Sequence, residues 1–205
     1  MMRFSSRTLD RIEKILVAAF GLAYAAAYLR GYIVDDNIMD LLQVVTEGTM
    51  VGFVLFRRPT EDVSRKPSDW ILAWGGTLSR LCARPVAHGI IAPLALTTLI
   101  LLLGFFLQMW AKFTLRRSFG IVAANRGIRA SGPYRLLRHP MYAGYFIIDI
   151  GAFLANCSLW NFIAYSLSIG IQTFRLLAEE RVLSADPEYQ ALKARVPFRV
   201  IPGVF

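Results

Sequence analysis

The stretch IIAPLALTTLILLLGFFLQMWA, residues 90–111, holds 22 residues and no charged side chain. At about 1.5 Å of rise per residue it would measure roughly 33 Å as a helix, enough to cross a hydrocarbon core of about 30 Å. A surface helix of that length in a soluble protein carries a charged face. Here only Thr97, Thr98 and Gln108 interrupt the apolar surface. The run reads as a membrane helix, and the rest of the chain is interpreted around it.

Five more apolar runs flank it, at 12–29, 38–56, 70–82, 141–156 and 159–174. Each is shorter than the first or broken by a charge, such as Glu47, Arg80 or Asp149. Such segments span only with tilt, snorkelling or packing partners. Apolar residues make up 56% of the chain and charged ones 18%, against about 45–50% and roughly 25% in soluble domains. The expected fold is an all-α integral membrane protein, a bundle of about six transmembrane helices. Residues 1–111 would supply helices one to four, and 112–205 a C-terminal catalytic part.

The net charge of +9 raises the question of a nucleic-acid partner, but its distribution answers it. If the N-terminus lies inside and each run crosses once, the inner segments hold four, four, seven and five Lys or Arg, 20 of the 23. Only Arg30, Arg80 and Arg84 fall toward the outside. This asymmetry is the positive-inside pattern. Both termini are therefore expected in the cytoplasm, with lipid rather than nucleic acid as the partner of the basic surface. Cys82 and Cys157 fall near outer helix ends, fit no metal spacing and read as two buried thiols. No residue pattern asks for a metal.

Residues 112–140 form a connection of 29 residues rich in Arg, Gly and Pro. Connections beyond about 12–15 residues are often functional. The second polar region follows Arg175, where Asp186 before Pro187 has the form of an N-cap with proline at the first helical position. The hairpin of the last two runs turns near Cys157 and Ser158. It returns His139 and Tyr142 to nearly the same depth as Arg175 and Glu179. Gln172, Arg175 and Glu179, spaced three and four apart, share one helical face. Glu180 lies about 100° round from Glu179 and is expected to serve another partner. An ordinary i,i+4 ion pair between Arg175 and Glu179 satisfies the same spacing.

SGPYRLLRHPMYAGY (131–145), the hydrophobic hairpin, FRLLAEERVL (174–183), PEYQALKARVP (187–197) and FRVIPG (198–203) resemble the isoprenylcysteine carboxyl methyltransferase family and its phospholipid-methyltransferase relatives. The resemblance covers roughly residues 107–203 and does not extend to the first three helices. It implies S-adenosylmethionine as methyl donor, bound at the cytosolic end of the bundle. By position it implies cofactor contacts from Tyr134, His139, Pro140, Met141, Tyr142 and Glu179, and from the stretch Arg126, Gly127, Ile128 and Arg129. It implies that Arg175 binds the substrate. Ala124 stands where the family has a glutamine.

Methyl transfer is an in-line displacement governed by positioning and exclusion of water. A carboxylate acceptor needs no base, and Arg175 would orient it. An amine acceptor needs one, and Glu180 is the candidate. The expected acceptor is a lipid-like or prenylated small molecule, drawn from the bilayer while the donor enters from the cytosol. A sterol-reductase-like enzyme using a nicotinamide cofactor on the same scaffold is the second enzyme reading, and a non-enzymatic membrane protein the third. Glu47 and Asp149 lie inside apolar runs, where ionisable groups are costly. Arg80 is the expected partner of one of them. His88 reads as interfacial, and Phe105, Phe106 and Trp110 as lipid-facing or packed.

Overall fold

A computed structural model describes residues 5–36, 38–86 and 89–205. Seven α-helices account for most of them: α1 (Ser6–Asp35), α2 (Ile38–Phe56), α3 (Pro67–Leu78), α4 (Leu94–Leu115), α5 (Pro140–Ala155), α6 (Leu159–Leu183) and α7 (Pro187–Arg195). The first six fall on the six apolar runs, and α7 is the short polar helix of the tail. A 3-10 turn over Ser79–Cys82 prolongs α3. By length and hydropathy two helices suffice to cross a membrane, those at Ser6–Val34 and Leu94–Ser118. α5, at 16 residues, is apolar but shorter. His88 lies outside the described residues.

The boundaries follow from local chemistry. Ser5 caps α1, its side chain accepting from the Thr8 amide. Proline opens α3, α5 and α7, where a missing N–H costs nothing. Asp186 caps α7 by accepting from the Glu188 amide at 2.8 Å, as Asp-Pro predicts. Ser158 caps α6 from the Asn161 amide, which makes the α5–α6 turn as tight as expected.

Helices pair α1 with α2, α4 with α5, and α3 and α5 with α6. The α4–α5 crossing is the closest. A Cβ on Gly104 would stand 2.9 Å from the Gly144 carbonyl oxygen, and one on Gly144 would stand 2.9 Å from both the Gln108 amide nitrogen and the Gly104 carbonyl oxygen. Small residues facing each other bring backbones together where lipid supplies no hydrophobic drive between helices. The outward faces carry a broad apolar coat, with Leu22, Leu99, Phe106, Trp110 and Phe162 all exposed. Among monomeric soluble proteins so large an apolar surface is rare.

Arg80 pairs with Asp149 at 2.8 Å, and the second Asp149 oxygen accepts from the Ser168 hydroxyl at 3.0 Å. The expected intramembrane pair is thus Arg80 with Asp149, not with Glu47. The two thiols depart from expectation: Cys157 is only half-buried and Cys82 is exposed, since Cys82 docks on α6 through its carbonyl, which accepts from Trp160 Nε1 at 2.8 Å, and not through its side chain.

The crossing makes a prediction with opposite signs at two glycines. Gly144→Ala forces the α4 backbone away and should cost about 1–3 kcal/mol, lowering the thermal midpoint in detergent. Gly170→Ala on α6 has nothing within 4 Å of the new methyl group and should leave the midpoint unchanged or raise it. Equal shifts in differential scanning fluorimetry would remove close packing as the reason for glycine at 144.

Candidate active site

At the basic end of the bundle, residues 115–139, the start of α5, the end of α6 and α7 line a cavity of about 60 Å³ that opens to solvent. Nine of the ten positions expected to contact a donor line it. Tyr134, His139, Met141, Tyr142 and Glu179 come from the RHPMY region and α6, and Arg126, Gly127, Ile128 and Arg129 from the connection. Pro140 does not line it; it starts α5. Gly127 sits at φ 93°, a backbone state that favours glycine, and its amide donates to the Asn125 side-chain oxygen at 2.9 Å.

Tyr142 and Glu179 meet as the hairpin arithmetic predicts, the phenol donating to the carboxylate at 2.9 Å. Tyr134 is buried, and burial with Glu179 nearby pushes its phenol well above the usual range, so it presents a neutral aromatic face. The Arg129 Nε is buried and has no partner among the described residues. A donor such as S-adenosylmethionine carries an ammonium, a carboxylate and an adenine. An acceptor carboxylate, an unpaired guanidinium and neutral aromatic faces fit those three parts.

Glu180, one residue on, turns away into a separate cluster. Its Oε1 accepts from Arg138 Nε at 2.8 Å and from the Tyr189 hydroxyl at 3.0 Å, with His139 Nε2 at 3.4 Å. Its Oε2 accepts from Arg199 Nε at 2.7 Å. Burial opposes ionisation, yet His139, Arg199 and Arg138 outweigh it and hold the carboxyl far below the usual range. Both oxygens are engaged and proton affinity is low, two properties opposite to those of a general base. Glu180 instead ties α6 to the tail. The Arg138 and His139 amides complete that tie by donating to the Phe198 and Arg199 carbonyls, each at 2.9 Å.

Arg175 is buried and belongs to a second cavity, which runs between α1 to α6 and away from the basic end. Its Nε and Nη2 donate to the Ile121 carbonyl at 3.1 and 2.8 Å, and its guanidinium stands 5.7 Å from the Tyr142 ring centre. It does not pair with Glu179, so the simple i,i+4 ion pair is not formed among the described residues. The wall between the cavities is the segment 119–124, which follows the 3-10 turn at Arg116–Ser118 and bends at 121–123. Gly120, Val122 and Ala124 face the first cavity, and Phe119 and Ile121 the second.

The wall is held from α1, a contribution sequence reasoning missed. Glu13 Oε1 accepts from the Ile121 and Val122 amides at 2.8 and 3.0 Å. Its Oε2 accepts from Arg57 and Arg126 at 3.0 and 2.9 Å, and Asp10 binds the same two arginines. Asp10 and Glu13, three apart on one helical face, were the available signal. Arg138 and Tyr189 were also missed, although both lie inside the quoted motifs.

The Glu180 cluster gives a pH prediction. Its folded carboxyl titrates below its ordinary value of 4.5, so the unfolded chain binds the proton first as pH falls. The stability it contributes is complete above about pH 5 and is lost as pH drops below 4.5 toward the folded value. Glu180→Gln should be less stable than wild type at neutral pH and show a flatter decline between pH 5 and 3 in thermal melts. Parallel declines would show that Glu180 is not the titrating group.

Residues 92–186 match the family model described as phospholipid methyltransferase. No curated protein matches the chain. The matched segment runs from just before α4 to the cap of α7 and contains His139, Tyr142, Arg175 and Glu179, the residues that line the two cavities and their boundary. Over these 95 of its 205 residues the chain is similar to the phospholipid methyltransferase family, which takes in the isoprenylcysteine carboxyl methyltransferase-like enzymes.

Proposed function

We propose that the chain transfers a methyl group from S-adenosylmethionine, held in the solvent-open cavity, to a carboxylate on an isoprenylcysteine-like or other lipid-like acceptor in the inter-helix cavity. The single observation that carries this reading is the pair of cavities sharing one thin wall. The residues expected to hold the donor line one side, and Arg175, expected to hold the acceptor, lines the other. On this reading all six apolar helices cross the membrane, both termini are cytoplasmic, and the donor cavity faces the cytosol, where the positive-inside pattern puts the basic residues.

Each residue has a physical role in this scheme. Arg129 holds the donor carboxylate through a charge-assisted bond. Glu179, oriented by Tyr142, accepts from the donor ammonium or a ribose hydroxyl. Tyr134 packs against the adenine or the cationic centre. Arg175 orients the acceptor, its own position set by the Ile121 carbonyl. When bound, the donor supplies a methyl group on a sulfonium, which the carboxylate oxygen takes as the carbon–sulfur bond breaks, with no proton to remove. Carboxylate methylation is favoured over amine methylation because Glu180, the candidate base, is fully engaged with Arg138, Tyr189 and Arg199.

The test is incubation of detergent-purified protein with methyl-labelled donor and a total lipid extract. Label released as methanol by mild alkali is expected, since esters hydrolyse there and N-methyl groups do not. Alkali-stable label would shift the reading to an amine, and no label would remove it. Arg175→Ala should abolish turnover while S-adenosylhomocysteine still binds; wild-type turnover would take Arg175 out of the mechanism. Glu179→Ala should weaken S-adenosylhomocysteine binding at least about tenfold by calorimetry, the loss of one charge-assisted hydrogen bond. Unchanged affinity would sink the Glu179 assignment.

A further inference from the structure

We propose that Lys112 forms a subsite for an anionic head group, a carboxylate or a phosphate, of a single-tailed amphiphile in the inter-helix cavity. Lys112 is 1% exposed and lines that cavity. Among the described residues its ammonium has neither hydrogen bond nor ion pair, although an unpaired buried charge is costly. It ends a stripe on α4, Leu101, Phe105, Gln108 and Lys112, all lining the same cavity at helical spacings of four, three and four. Apolar side chains thus lead along the cavity to an amide and then a cation, the order that an anionic amphiphile presents from tail to head.

Glu47 is the obvious internal partner and does not serve. It lines the same cavity, but no contact within 4 Å joins the two, and its Oε2 is buried without a partner. The depths explain this. Lys112 lies three residues from the end of α4 and Glu47 nine from the end of α2, about 5 and 13 Å along their axes. Of the other two carboxylates lining the cavity, Asp149 is taken by Arg80. Asp40 lies sixteen residues from the end of α2, about 24 Å along its axis, with no ion pair to Lys112 among the described residues. Lys112 therefore presents its charge to the cavity itself. Arg175, which the same cavity exposes, is already committed to the Ile121 carbonyl and Gln172. Lys112, which lines the same cavity, is the less encumbered of the two.

This inference rests on the methyltransferase reading only for placing the head group beside the donor, not for the binding. The test uses the full chain in dodecyl maltoside, with tritiated dodecanoate measured by scintillation proximity. Unlabelled dodecyl phosphate and dodecyltrimethylammonium serve as competitors. Expected is saturable dodecanoate binding that dodecyltrimethylammonium does not displace. Displacement by dodecyl phosphate supports a subsite for both anions, and its failure supports one for carboxylate alone. Lys112→Met and Lys112→Gln should weaken dodecanoate binding at least about tenfold and Lys112→Arg should largely restore it. Wild-type S-adenosylhomocysteine affinity and a monodisperse elution profile would show the variants folded. No saturable binding by wild type, equal displacement by the cation, or wild-type affinity in both neutral variants would overturn the proposal. Absence of S-adenosylhomocysteine binding by wild type would instead refute the donor reading and leave the Lys112 result standing.

Discussion

The grip of Glu13 on the Ile121 and Val122 amides is the constraint on which the rest of the site depends. Those two peptide units lie in a connection with no regular structure of its own, and an unpaired buried amide costs about 1–3 kcal/mol. One carboxylate satisfies both, while Arg175 satisfies the Ile121 carbonyl from the far side. A single residue is thereby fixed through its N–H by α1 and through its C=O by α6. The wall between two cavities is only as well placed as those bonds. Removing the carboxylate would also leave Arg57 and Arg126 sharing Asp10 alone, a loss of half their buried counter-charge, and breaking a buried pair outright typically costs about 3–5 kcal/mol. The N-terminal helices thus act on the site twice, by lining the inter-helix cavity and by holding its wall through Glu13.

A similar logic separates the adjacent acids at the end of α6. Successive helical residues point about 100° apart, so Glu179 and Glu180 enter different surroundings from neighbouring positions. Glu180 gathers Arg138, Arg199, Tyr189 and His139 and ties the tail to α6. Glu179 keeps one tyrosine partner and faces the open space. The first is held ionised by its cations and spends its lone pairs on structure. The second retains acceptor capacity for a ligand.

What the sequence disclosed and what it withheld divide along the range of the interactions. Helix positions, the Asp186–Pro187 cap, the α5–α6 hairpin and the meeting of Tyr142 with Glu179 depend on periodicity and rise per residue, which a single chain displays directly. Glu13 was passed over because its partners lie 108 and 109 residues away, and beside Arg11 and Lys14 it reads as part of a basic flank. Glu180 looked like a base because the cations that occupy it arrive from the tail and from the residue before His139. Lys112 counted toward topology because spacing says nothing about whether a cation finds a partner. The Gly104–Gly144 approach and the exposure of Cys82 likewise depend on how helices dock, which no local pattern encodes.

The depth of the wall accounts for building the site on membrane helices. Lys112 lies about one turn inside the basic end of α4, and Arg175 sixteen residues from the start of α6, about 24 Å along its axis. A hydrocarbon core is about 30 Å thick, so on the proposed six-span topology both cations would sit near the boundary where water gives way to lipid. A donor with three polar parts cannot be carried deep into hydrocarbon without losing its hydration, and an acceptor tail cannot be drawn into water without exposing apolar surface. A partition at the boundary, open to solvent on one side and continuous with an inter-helix cavity on the other, lets each reactant remain in its own medium up to the point of contact. The buried bonds from Glu13 and Arg175 fix the place of that partition, since hydrocarbon would offer its backbone groups no hydrogen-bond partner.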